Sequence, residues 1–166
     1  MRSGFASSTT VNSDGSVAEI KRTLQRFGAS SFVHGETEKG AMIEFQARER
    51  RIRFVLHLPD RENDQFTTTP TGRQRKNQNQ VFLAWEQGCR AHWRALALII
   101  KAKLVAVESG IRSFEEEFLA DTILPGNRTV SGMLLPQVAA AYESGKVPKL
   151  TLLALPYEAK EEDHGQ

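Results

Sequence analysis

Few residues in this chain have the types and spacing to do chemistry. Asp60, Glu62 and Asp64 alternate along a short polar stretch beside Arg61. Carboxylates at that density, joined by Glu44, could hold Mg²⁺ for phosphodiester cleavage. Such a site needs its ligands fixed on strands or helices, and these three fall where a loop is expected. The expectation is therefore a solvated loop with no bound metal. Cys89 and His92 stand one helical turn apart, a spacing that could set a thiolate beside an imidazole. Cys89 lies on an apolar stripe, however, and a thiol buried there is inert. His34, His57, His92 and His164 are too scattered to hold zinc. Neither GxxxxGK[ST] nor GxGxxG occurs, so nothing favours nucleotide hydrolysis. Glu115–Glu117 reads as the acidic start of a helix, favoured by the helix dipole. These residues lead to no catalytic assignment, no metal and no cofactor.

The chemistry left over is cationic. Residues 48–103 carry a net charge of +7, whereas residues 104–166 carry −5 and residues 1–47 carry none. The near-neutral total of +2 hides a basic centre. Arg48, Arg51 and Arg53 fall on an expected β-hairpin, Arg73, Arg75 and Lys76 on a polar loop, and Arg90 and Arg94 on a long helix. Guanidinium forks suit phosphate oxygens, and neutralised phosphates release counterions. If these eight residues converge, they form a groove for a nucleic-acid backbone, with Arg73, Arg75 and Lys76 as a flexible arm that orders on binding. Phe66 or His57 could then stack on bases, as single-strand binders require. Trp85 and Trp93 are assigned to core or interface.

The elements that must position these groups follow from periodicity. Val17, Ile20, Leu24 and Phe27 recur at helical spacing after a possible cap at Ser16, and Gly28 ends that helix. Three strands are predicted over Ser31–Gly35, Ala41–Ala47 and Arg51–Leu58. The last two alternate, with Ala41, Ile43, Phe45 and Ala47 on one face and Ile52, Phe54, Leu56 and Leu58 on another. This reads as an antiparallel meander with one face on a core and one face cationic. Pro59 ends it, and a loop of about twenty residues follows, a length that is usually functional or disordered.

A long helix is predicted from about residue 80 to 108. Phe82, Cys89, Trp93, Leu96, Ile100, Leu104 and Val107 form its apolar face. Ala84, Ala91, Ala95, Leu98, Ala102 and Val105 form a second face, roughly opposite. A helix apolar on two sides calls for a partner on each: the sheet on one, and the C-terminal helices or a second copy on the other. Ser113 and Glu116 have capping-box spacing for a short acidic helix. Pro125–Gly126–Asn127 marks a turn. A further helix is expected from about residue 130 to 144, containing Pro136 and closed by Gly145. Leu150–Leu155 is an apolar segment expected to dock on the body.

The fold class is therefore α+β: a three-stranded antiparallel meander packed on a long helix, with a helical C-terminal third. Residues 1–15 read as disordered, 16–155 as one domain and 156–166 as a charged tail. With 166 residues and 40% apolar content, the chain can build one core. A single cysteine excludes an internal disulfide and fits a reducing compartment. Met1–Ser16 lacks the apolar core of a secretory signal, and the run Ala95–Ile100 is too short to span a bilayer. A cytoplasmic protein without membrane contact is expected.

Three segments carry a resemblance: Ile52–Asp60 (IRFVLHLPD), Ala84–Leu98 (AWEQGCRAHWRALAL) and Phe114–Leu119 (FEEEFL). On them, Val17–Gly145 resembles a family of small bacteriophage and prophage proteins, which implies no particular activity. The order helix, three-strand meander, basic loop, long helix is also similar to the core of single-strand annealing recombination proteins, which hold ssDNA in a cationic groove between hairpin and helix and form rings or filaments. That implies single-stranded DNA binding or annealing in phage recombination or repair, without turnover, by a possible homo-oligomer. Two other readings stay open. One is a module that acts on a host protein, and the other is a Mg-dependent nuclease.

Overall fold

A computed structural model describes residues 14–37 and 40–146. The charged tail, Leu150–Leu155 and most of the predicted N-terminal disorder lie outside them. Asp14 and Gly15 are already helical, so Ser16 sits in the first turn and does not cap it. Helix α1 (Asp14–Arg26) buries Ile20 and Leu24. Strands β1 (Ser31–Thr37), β2 (Gly40–Ala47) and β3 (Arg50–His57) form an antiparallel sheet in sequential order, with Phe45 opposite both Phe32 and Ile52. This is the predicted meander.

The period of two sorts the sheet into faces. Ala41, Ile43, Phe45, Ala47, Ile52 and Phe54 are buried on the inner one. Helix α3 (Gln78–Glu108) covers that face with Trp93, Leu96, Ile100, Leu104 and Val107. Each large side chain buried in this way contributes about 1.5–3 kcal/mol. Helix α4 (Phe114–Phe118) closes the core through Phe114 and Phe118, whose rings lie 4.7 Å apart. The capping box holds: Ser113 Oγ accepts from the Glu116 N–H, and Glu116 Oε2 accepts from the Ser113 N–H.

A 3₁₀ turn (Leu119–Asp121) leads to a two-residue hairpin, β4 (Ile123–Leu124) and β5 (Arg128–Thr129). Thr122 pairs with Ile52, so this hairpin sits at the open edge of β3. Helix α5 (Val130–Ser144) follows, with Pro136 inside it. It packs on the 3₁₀ turn and β5.

Two features depart from expectation. The segment after Pro59 is built structure. Helix α2 (Asp64–Thr67) is capped by Asn63, Phe66 is buried, and the Arg75 and Thr69 amides bond Thr67 O and Arg73 O at 2.7 and 2.8 Å. Its anchor is Gly88 of α3, where a Cβ would stand only 2.7 Å from Phe66 Cε1. Trp85 Nε1 donates to Pro59 O at 2.8 Å and ties the other end. The second departure is α3's second face. Ala91, Ala95, Leu98, Ala102 and Val105 are exposed, and neither α4 nor α5 covers them. No helix among the described residues is long and apolar enough to cross a membrane.

Candidate nucleic-acid interface

The predicted cationic groove is dispersed by the fold. Arg51 and Arg53 project from the outer sheet face as expected, but both close on Glu44 of β2. Arg51 Nε and Arg53 Nη2 donate to its two oxygens at 3.0 and 2.8 Å. Burial pushes the Glu44 carboxyl upward, and the hydrogen bonds and charges of Arg51 and Arg53 more than reverse it, holding the group below its ordinary range. Arg53 also donates to Asn127 O and Oδ1, at 3.0 and 2.7 Å. It is a clasp between the sheet edge and the β4–β5 turn, and each of its three nitrogens donates to one side or the other.

Arg48 stands at the hairpin tip, over aromatic rings. It and Glu49 form the two-residue turn between Ala47 and Arg50, with φ of 46° and 62°. That is the type I′ geometry that suits hairpin twist but strains residues with a Cβ. The Arg48 guanidinium lies over Phe27 and Phe114, 5.5 and 5.6 Å from the ring centres, sealing the end of the core. Arg90 pairs with Glu86 one turn away, at 3.1 Å. Arg75 is half-buried, with its Nε enclosed and unpartnered among the described residues. Arg73 and Lys76 are exposed, but their loop joins β3 at the end away from Arg48, about 23 Å along the strand at roughly 3.3 Å per residue. Backbone hydrogen bonds and the seat of Phe66 on Gly88 tie that segment to the body. Of the eight, Arg48, Arg73, Lys76 and Arg94 present to solvent a charge that no carboxylate among the described residues pairs.

The fold assembles another cationic surface. Arg22 and Arg26 stand one turn apart on α1, and Lys101 approaches them from α3. Together with Glu19, Thr23 and Gln25 they line an open groove of about 670 Å³ between the two helices. Arg94 lies on the same side of α3 two turns before Lys101, at about 3.6 residues per turn. Among the described residues no carboxylate pairs with Arg22, Arg26, Arg94 or Lys101. Glu19 is the one acidic lining residue. The α1 arginines escape a reading by segment charge, because residues 1–47 sum to zero. The signal that could have found them is the spacing of Arg22 and Arg26 on the α1 face away from Ile20 and Leu24.

The remaining chemistry is quiet. Phe66 is buried against Gly88 and cannot stack on a base, and Trp93 is buried in the core beside His34. His57 is exposed at the end of β3. Asp60 Oδ1 accepts from the Glu62 N–H at 3.0 Å, and Asp64 opens α2. Among the described residues no three His, Cys, Asp or Glu side chains converge as metal ligands. Cys89 is buried, and burial followed by the Glu86 charge pushes its thiol up to about 11. Lys103 bridges Glu117 and Asp121 at 3.3 and 3.6 Å, binding α3 to α4 and the 3₁₀ turn.

No family model, curated protein or solved structure matches the chain.

Proposed function

We propose that the protein binds nucleic acid through its phosphate backbone, without turnover, along the groove between α1 and α3. One observation carries the reading: Arg22, Arg26 and Lys101 converge from two helices on one open groove, with no ion pair among the described residues. Arg94 extends the same stripe. The packed helices fix where these cations start from the backbone, so a strand laid in the groove displaces counterions and orders only the three side chains themselves. Single-stranded DNA is the favoured ligand, because the order helix, meander, loop, long helix is similar to that of single-strand annealing proteins. The setting proposed is phage recombination or repair in the cytoplasm.

A mobility shift with labelled single- and double-stranded DNA tests the reading. Wild type should retard single-stranded DNA at low salt. R22Q/R26Q/K101Q should lose that shift, while R51Q, whose guanidinium Glu44 already occupies, should keep it. If wild type retards neither DNA, or the triple variant binds as well as wild type, the groove has no such role.

A further inference from the structure

Helix α5 carries no charged residue from Val130 to Tyr142, yet only Val130 is buried. Its Leu134, Gln137 and Ala141 are half-buried on the side toward the body. Leu135, Val138, Ala139 and Tyr142 repeat at helical spacing on the other side, with Leu135 63% and Tyr142 87% exposed. An apolar stripe of that kind on a helix normally faces a partner.

Helix α3 offers a matching face. Ala91, Ala95, Leu98, Ala102 and Val105 alternate steps of four and three residues, the heptad pattern that keeps one seam toward a neighbouring helix. All five are exposed, Leu98 by 66%. The alanines open shallow holes that branched and aromatic side chains can enter. The seam from Ala91 to Val105 and the helix from Val130 to Ser144 are each about 21 Å long at about 1.5 Å per residue. Arg94, Lys101 and Glu108 border the α3 seam, and Glu143 ends the α5 stripe beside Tyr142, so one carboxylate of α5 has two cations of the seam's border as possible partners.

We propose that α5 of one chain docks on the α3 seam of a second copy. Each chain holds both halves of the contact, and its own α5 rests instead on the 3₁₀ turn and β5. A reciprocal exchange between two chains covers both apolar faces of each at once. This inference stands whether or not the protein binds nucleic acid.

The test is the mass of the full-length protein in solution, by sedimentation equilibrium or light scattering over a micromolar concentration series. Wild type should be at least dimeric. L98K and L135E should each lower the mass to that of one chain while leaving the far-ultraviolet circular dichroism unchanged. Mixing the two variants should restore association, because the ammonium introduced on the α3 seam of one then meets the carboxylate introduced on α5 of the other. A wild type that is monomeric throughout overturns the proposal. So does a multimer that neither substitution dissociates.

Discussion

Replacing Glu44 with Gln leaves Arg51 and Arg53 side by side without their shared carboxylate. The cost follows from how far each arm is exposed. The Arg51 side chain is 51% exposed, so its bonds count at the surface value of about 0.2–1 kcal/mol. Arg53 is 16% exposed and Glu44 14%, so that arm approaches a charge-assisted bond of about 1.5–3 kcal/mol. Gln keeps one acceptor, and water reaches the site, so E44Q should lose about 2 kcal/mol near pH 7. For a chain of this size that lowers Tm by roughly 4–8 °C. Urea unfolding followed by circular dichroism measures it. Double-mutant cycles should give a larger coupling for Glu44 with Arg53 than with Arg51. The pH dependence has a definite sign. The folded carboxyl lies below its ordinary 4.5, so its contribution is complete above that pH and is lost as pH falls further, through the lowered value. The gap between wild type and E44Q should therefore narrow below pH 4.5. A gap under about 0.5 kcal/mol at pH 7, where surface substitutions usually fall, would refute the clasp.

Three further outcomes are expected. E49G should stabilise the protein by about 0.5–1 kcal/mol, because glycine relieves the positive φ of 62° in the β2–β3 turn; a lower urea midpoint would contradict this. G88A should destabilise by about 1 kcal/mol although alanine favours helix, since its Cβ would overlap Phe66; F66L should recover most of the loss, and limited proteolysis should report the loosened loop. Cys89 should resist iodoacetamide at pH 8 in the native state and react on unfolding, because the thiol is buried and that burial pushes its pKa up to about 11; rapid native labelling would show an opening that the packing does not provide.

The fold was largely legible because its signals are local. Alternating Ile43, Phe45, Ile52 and Phe54 announce two half-buried strands, Ser113 with Glu116 announces a helix start, and Trp93, Ile100 and Leu104 announce a core-facing stripe. The candidate site was not, because charge counted along the chain ignores what each side chain meets. Glu44, a net-neutralising residue outside the basic segment, captures two arginines across the sheet. Arg48 is drawn onto Phe27 and Phe114, which lie far apart in the sequence on either side of it. Gly88 looks like a weak point in a helix until Phe66 is seen to occupy its missing side chain, which also explains why the preceding loop is ordered. Arg22 and Arg26 gain meaning only from Lys101, far along the chain, once α1 packs on α3. The second face of α3 was visible as a pattern, and its exposure needed coordinates.

The most direct test of the central claim is the salt dependence of single-stranded DNA affinity, read by fluorescence anisotropy on wild type and R22Q/R26Q/K101Q. Each phosphate neutralised on a single strand contributes about −0.7 to the slope of log K against log salt. Removing the three groove cations should flatten the slope by about 2 and weaken binding at low salt. Identical slopes for the two proteins, or a wild-type affinity indifferent to salt, would contradict a phosphate-binding groove between α1 and α3.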